Sequence, residues 1–193
     1  MNTPTLHTDR LILRQFTIHD LDAFHEIFTD ETVNTFLPWF IPKTREASLA
    51  ELTQRFLSYY DADTSYRYAV CLKEENKPIG YITLGEPDSY DFGYAILSQY
   101  QKKGYITEGA HCILNTLSQT QIPYITATHD INNPASGEVM KKLGMKYQYS
   151  YTEFWEPKGY DVTFRLYQLN FDPNAHPYMK YWNLYKRHEI ESL

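Results

Sequence analysis

The residues with the most chemical content are 101–106, Gln-Lys-Lys-Gly-Tyr-Ile, which follow a strand-like run at 90–97 and open an apolar-periodic stretch near Gly104. A strand that delivers a short basic loop to a helix start is a recipe for holding a diphosphate. The first amides of a helix have no intrahelical partner, and the positive end of its dipole faces the same spot. Gly104 lets the backbone approach an anion closely, and Lys102 and Lys103 add positive charge. A second chemical feature lies at 133–136, where Asn133 and Ser136 stand three apart at a strand-to-helix junction. Asn133 there is either a helix N-cap with Ser136 beside it in the first turn, or part of a site. His111 and His129 are isolated, and the sequence shows no Cys/His pair of the kind that builds a covalent nucleophile.

The elements that must position these residues follow from periodicity. Residues 10–16 alternate as a first strand. Thr17 then reads as a cap ahead of a helix with Leu21, Phe24, Ile27 and Phe28 on one face. Pro38 and Pro42 interrupt the chain, and a second helix is expected from about 44 to 60. Runs at 66–72 and 79–84, joined by a polar turn, predict a hairpin, and 90–97 a further strand. A helix over about 104–118, a short strand at 124–128, a helix over 134–143 closed by Gly144, and a final hairpin of 146–155 with 160–171 complete the order. The pattern implies an α/β (α+β) fold, a single mixed, mostly antiparallel sheet of about seven strands with helices on both faces. Residues 1–171 form the expected domain. Residues 172–193 follow as an aromatic helical extension (Tyr178, Tyr181, Trp182 and Tyr185 at helical spacing), packed on the domain or at a dimer contact.

The 193 residues carry a formal net charge of −6, which argues against a nucleic-acid or anionic-membrane footprint. It leaves room for a cationic or amine substrate. No run approaches the length of a bilayer span, so a cytoplasmic location is the default. Cys71 and Cys112 have no metal-type spacing and read as buried free thiols; no metal is expected. Tyrosine is frequent (18) and concentrated in 147–185, which suggests an aromatic-rich surface or groove.

Taken together, Gln101, Gly104 and Ile106, followed by Asn133, Ser136, Lys141 or Lys142, Leu143, Gly144 and Met145, resemble the signature elements of the GNAT superfamily of acetyl-coenzyme A-dependent N-acetyltransferases. The opening Thr-Asp-Arg-Leu-Ile-Leu-Arg, the Phe-Gly-Tyr-Ala-Ile-Leu strand and Gly-Tyr-Ile-Thr-Glu-Gly-Ala are similar to the branch of ribosomal-protein N-terminal (RimJ/RimL-like) acetyltransferases. The resemblance covers roughly residues 5–170. It implies acetyl transfer directly to a primary amine, either a protein N-terminal α-amine or a small-molecule amine, by a monomer or homodimer. It implies acetyl-coenzyme A held by Gln101, Lys102, Lys103, Gly104, Tyr105 and Ile106, with Asn133 at its pantetheine or diphosphate. Backbone N–H groups near Ile96 and Leu97 are the implied oxyanion donors.

Asp91, on the strand leading into the loop and where relatives often carry a glutamate, is the nominated general base; its alternative is a solvated edge carboxylate. Glu108 competes for the role but also suits the first turn of a helix. Ile106 stands where the signature prefers Gly or Ala. Met140 stands where many relatives carry the tyrosine thought to protonate the leaving thiolate, so Ser136 is the nominated donor. Competing readings are a non-catalytic acyl-coenzyme A-binding or regulatory module, and an antibiotic- or polyamine-modifying enzyme with the same chemistry.

Overall fold

A computed structural model describes residues 2–62, 66–156 and 158–193. The chain packs as two compact units, residues 1–84 with 93–115, and residues 85–92 with 116–193. Among the described residues there are six α-helices and nine strands, in two sheets.

The first unit is built on strands β1 (Leu6–His7), β2 (Leu11–Arg14), β3 (Tyr66–Leu72), β4 (Pro78–Leu84) and β5 (Phe92–Ile96), which lie in that order. Helices α1 (Leu21–Thr29), α2 (Glu31–Asn34) and α3 (Arg45–Arg55) separate β2 from β3, and α4 (Tyr105–Leu117) follows β5. Thr44 starts α3 by accepting a hydrogen bond from the Ala47 N–H at 3.2 Å. The antiparallel register Ile12↔Cys71 and Ala69↔Tyr81 puts these side chains on one face. There they join Phe16, Phe24, Ile27, Phe28, Leu52 and Phe56 in a common core. Leu11, Leu13 and Ile82 point the other way and meet α4 at Gly109, where an added Cβ would lie 3.1 Å from Leu13 and 3.4 Å from Leu11 and Ile82. Helices therefore cover both faces of this sheet. Between β2 and α1 the buried pair Arg14–Asp20 is bidentate, at 2.8 and 2.9 Å. Burial works against the Asp20 charge, but the bonds from Arg14 and Thr17 outweigh it and hold the carboxyl below its ordinary range.

The second unit holds β6 (Tyr124–Asp130), α5 (Pro134–Lys142), β7 (Lys146–Trp155), β8 (Tyr160–Asn170), α6 (Lys180–Leu184) and β9 (His188–Glu189). The sheet order is β6-β8-β7-β9, antiparallel throughout. Helix α5 carries the chain from β6 to β7, and β8 returns between them. Gly144, at φ +80°, ends α5, with its N–H on Lys141 C=O and the Met145 N–H on Met140 C=O. Asp91, just ahead of β5, makes an isolated parallel bridge to Thr126 of β6.

The mixed α/β class is as the sequence implies, and two details differ. The expected single sheet of about seven strands is two sheets, of five and four; the two strands beyond the expected number, β1 and β9, are two residues long and carry no periodic signal. The expected C-terminal helix is five residues long; past Tyr185 the backbone turns extended and pairs with β7 instead. Cys71 is buried as expected, whereas Cys112 is only half-buried.

The tightest approach in the first unit is at Gly80, where an added Cβ would lie 2.3 Å from the Ala95 carbonyl oxygen and 2.9 Å from the Ile96 Cα. Both are backbone atoms of β5, so no side-chain rotation relieves the clash. Gly80→Ala is expected to lower unfolding stability by roughly 1–3 kcal/mol, measured by urea unfolding. An unchanged midpoint would show that β5 moves away freely.

Candidate active site

The loop expected to hold an anion is shaped from a distance. After β5 comes a 3-10 turn, Ser98–Tyr100, then two residues in the left-handed region, Lys102 at φ +61° and Gly104 at φ +81°. The first helical bond of α4 runs from the Glu108 N–H to the Gly104 C=O at 3.0 Å. The amides of Tyr105, Ile106 and Thr107 precede it and have no partner within the helix. Arg10 fixes this corner. It donates to the Lys103 carbonyl at 3.0 Å and to Glu108 at 2.6 Å, and its guanidinium lies 4.4 Å from the Tyr105 ring centroid. Gln101, Lys102 and Lys103 are exposed. The Gln101 side-chain amide turns back toward the Ile96 carbonyl at 3.5 Å.

Glu108 accepts from the Thr8 hydroxyl and from the Arg10 backbone and side chain. Burial pushes its carboxyl up, but those hydrogen bonds win and hold it below its usual value. A carboxylate so engaged clamps the helix start. Ile106, where the signature prefers a small residue, is 7% exposed and belongs to the core. One expected donor is corrected: the Leu97 N–H donates to the Ile79 C=O at 2.9 Å and is not available to an oxyanion.

In the second unit, Asn133 caps α5 through its side-chain oxygen, which accepts from the Ser136 N–H at 3.4 Å. Ser136 is half-buried in the first turn. Met140 is 1% exposed and fills the core beneath α5, so no hydroxyl stands there. His129 is buried, its Nδ1–H donating to the Asp130 carbonyl at 2.8 Å, and burial pushes its pKa down. An added Cβ at Gly137 would meet His129 Nε2 at 2.6 Å, so this imidazole is packed under the helix. His111 is exposed on α4.

Asp91 has the most unusual environment. Its carboxyl is enclosed by protein while the residue keeps part of its surface, and burial pushes it up to about 6. Among the described residues it has neither a hydrogen-bond partner nor an ion-pair partner for the carboxylate. The loop before it is held in a strained shape, with Asp88 at φ +99° and Tyr90 at φ +45°. Restraints come from several directions. The Tyr124 hydroxyl donates to the Asp88 carbonyl at 2.6 Å, and Thr126 donates to the carbonyls of Ser89 and Tyr90. The Asp88 carboxylate binds the Tyr178 hydroxyl at 3.0 Å and Lys180 at 2.8 Å. The Gly85 N–H closes the loop on the Asp91 carbonyl at 2.7 Å.

Around Asp91 stand Tyr181, one of the C-terminal tyrosines at helical spacing, and Tyr151, which local sequence reasoning did not single out. The phenols of Tyr151 and Tyr181 are pushed up, chiefly by burial and then by neighbouring negative charges including Asp91 and Glu153. Tyr151 stacks on Tyr181 at 4.8 Å and on Tyr185 at 5.1 Å. The usable signal was the alternation Tyr149, Tyr151, Glu153, Trp155 inside the tyrosine-rich tract. Among the described residues no group of His, Cys, Asp and Glu is arranged to hold a metal ion, and no helix is long and apolar enough to cross a membrane.

Comparison with known proteins bears on the fold and the family. A family model described as an acetyltransferase (GNAT) domain matches residues 10–146. An uncharacterized N-acetyltransferase, YnaD of Bacillus subtilis, is 31% identical over 144 residues, covering 72% of this chain and 81% of its own. A GNAT-family acetyltransferase structure from Bacillus anthracis superposes with a TM-score of 0.75 at 23% identity, covering 87% of this chain and 99% of that one. The ribosomal-protein-S5-alanine acetyltransferase of Vibrio fischeri has the same fold, with a TM-score of 0.71 at 19% identity over 90% of this chain and 100% of that one. With the family match spanning the loop, α4, β6 and α5, the chain belongs to the GNAT acetyltransferase family.

Proposed function

We propose that this acetyltransferase moves the acetyl group of acetyl-coenzyme A directly onto a primary amine, with Asp91 as general base. The observation that carries the reading is the Asp91 carboxylate, enclosed, without a partner among the described residues and raised to about 6. An ordinary surface aspartate near pKa 3.9 is a weak base; one near 6 is ionised at pH 7–8 and closer to the proton it must accept. The strained loop tied by Tyr178 and Lys180 supports the same reading, since backbone strain held by several restraints collects where a side chain must be aimed.

The residues of the 101–106 loop suit a coenzyme diphosphate. Left-handed Lys102 and Gly104 turn the chain so that the first amides of α4 are presented, and Arg10 holds the turn from behind through the Lys103 carbonyl. Acetyl-coenzyme A supplies the activated acyl group. The amine nitrogen gives its proton to Asp91, directly or through a water, and bonds to the thioester carbon; the C–S bond then breaks and the coenzyme leaves as the thiolate, which takes up a proton from solvent. With the Leu97 amide engaged, the Ile96 N–H is the remaining nominated donor to the carbonyl oxygen. With Met140 in the core, the Ser136 hydroxyl is nominated to hydrogen-bond the departing sulfur. A thiol of pKa about 8.5 needs only modest help at neutral pH.

Steady-state thiol release across an amine panel tests the reading. Binding of acetyl-coenzyme A without turnover on any amine would leave only a non-catalytic acyl-coenzyme A module. Asp91→Asn is expected to lower kcat by about 10²–10⁴-fold and to abolish the limb of the pH–rate profile near pH 6, with little change in coenzyme affinity. The same variant has a separate stability signature. Because burial raises the folded-state pKa above its unfolded value, the native state favours the protonated carboxyl. The associated stability is present below about pH 4 and lost as pH rises through about 6. Asp91→Asn is therefore expected to be more stable than the parent at pH 8 by about 1–3 kcal/mol, with the difference vanishing near pH 4 in urea unfolding. Gly104→Val, which forces a β-branched residue to φ +81°, is expected to weaken coenzyme binding by an order of magnitude or more, read by calorimetric titration. Unaltered binding would remove the loop from the coenzyme site.

A further inference from the structure

The turn ahead of Asp91 is gripped at one residue from two sides, both within the second unit. Asp88 sits at φ +99° and Tyr90 at φ +45°, and neither is glycine, so this shape persists only while other groups hold it. From β6 the Tyr124 hydroxyl donates to the Asp88 carbonyl at 2.6 Å, and Thr126 holds the next two residues through its hydroxyl and its N–H. From the C-terminal tail the Tyr178 hydroxyl donates to the Asp88 carboxylate at 3.0 Å and the Lys180 ammonium at 2.8 Å.

The two tail contacts are unequal. The Lys180 and Asp88 side chains are 59% and 57% exposed, so their ion pair is screened and restrains little. Tyr178 is 6% exposed and fixed at three points. Its N–H donates to the Gln168 side-chain oxygen at 2.8 Å, its carbonyl accepts from the Tyr149 hydroxyl at 2.6 Å, and its own hydroxyl reaches Asp88. Its ring packs between Tyr124 and Tyr181, at 6.4 and 5.4 Å between centroids. Gln168 is itself buried on β8, and its amide nitrogen donates to the His176 carbonyl and the Asn170 side chain, so the tail arrives here on a fixed path. A phenol held this firmly at its backbone passes the position of the sheet on to the turn; an ammonium on a flexible stem does not.

Resting on the base role proposed for Asp91, we infer that Tyr178 is a positioning residue for acetyl transfer. Its hydroxyl pins Asp88 together with that of Tyr124, so the left-handed turn persists and the Asp91 carboxyl that follows stays aimed and enclosed. Tyr178 acts through Asp88 and exchanges no proton itself.

The test measures kcat and the pH–rate profile at saturating acetyl-coenzyme A with an amine the parent acetylates, beside coenzyme affinity by calorimetric titration. Tyr178→Phe keeps the packed ring and removes the hydroxyl. It is expected to lower kcat about tenfold or more. It is also expected to move the acid limb below its place near pH 6, because a loosened turn lets water reach Asp91 and its carboxyl falls toward the ordinary range. The Tyr151 and Tyr181 phenols are pushed up by burial and stay neutral across this range, so the limb reports Asp91. Coenzyme affinity is expected to stay within about twofold of the parent. Asp88→Ala removes the same bond from its exposed end and leaves the Tyr178 packing alone. It is expected to match Tyr178→Phe, and the double variant to be no worse than either. Lys180→Met is expected to cost no more than about threefold. A folded Tyr178→Phe or Asp88→Ala with parent kcat and an unmoved limb overturns the proposal, as does a double variant whose losses multiply. A fall in coenzyme affinity equal to the fall in kcat overturns it too, since that marks general damage to the fold. Two further results strike the reading beneath: no turnover by the parent on any amine, or an Asp91→Asn variant as active as the parent, removes the base role and this proposal with it.

Discussion

The Arg10 guanidinium ties the entry to β2 to a corner far away in sequence, the turn before α4 and the first turn of α4 itself. Its bond to the Lys103 carbonyl, its pair with Glu108 and its stacking over Tyr105 are each modest, since exposed ion pairs are worth at most about 1 kcal/mol. Acting together they leave the loop one shape. That shape matters because a helix terminus binds an anion only if the preceding backbone stays out of the way. The Glu108 carboxylate, which in isolation suits the helix dipole, is here one end of this tie, and its chemistry is spent on geometry.

Four carboxylates show how environment assigns roles to one functional group. Asp20 is buried but doubly bonded by Arg14, and it anchors a strand to a helix. Glu108 is engaged by three donors and fixes a loop. Asp88 binds Tyr178 and Lys180 and restrains the segment ahead of Asp91. Asp91 is enclosed yet unanswered, and only there does burial win over hydrogen bonding. The difference lies in the neighbours, not in the side chain, which is why a list of acidic residues cannot be sorted into bases and clamps without the fold.

Local signals in the sequence carried the helix starts and stops well. Thr44, Asn133 and Gly144 act through partners within four residues, so the chain announces them. The helix start at Gly104 was legible in the same way, whereas the Arg10 contacts that hold the loop before it come from 93 residues away. What was hidden depends on contacts between distant segments. Gly80 is a glycine because β5 lies 2.3 Å from where its Cβ would be. The Leu97 amide is occupied because β4 runs alongside. The Tyr178 hydroxyl meets Asp88 from 90 residues away. The C-terminal tyrosines have helical spacing, yet strand pairing to β7 outcompetes a longer helix.

The family match stops at residue 146, at the first residue of β7, whereas the tyrosines, Glu153 and the tail lie beyond it. Strand β9 covers the edge of β7 at Ser150 and Tyr151, the stretch most able to recruit a foreign strand. The bidentate engagement of Glu191 by Arg165 fastens that cover. A single tail of some twenty residues thus supplies stacking partners for Tyr151, the cation that restrains Asp88 and the guard against edge-to-edge aggregation. A substitution in this tail therefore disturbs the covered edge of β7 together with the surroundings of Asp88 and Tyr151.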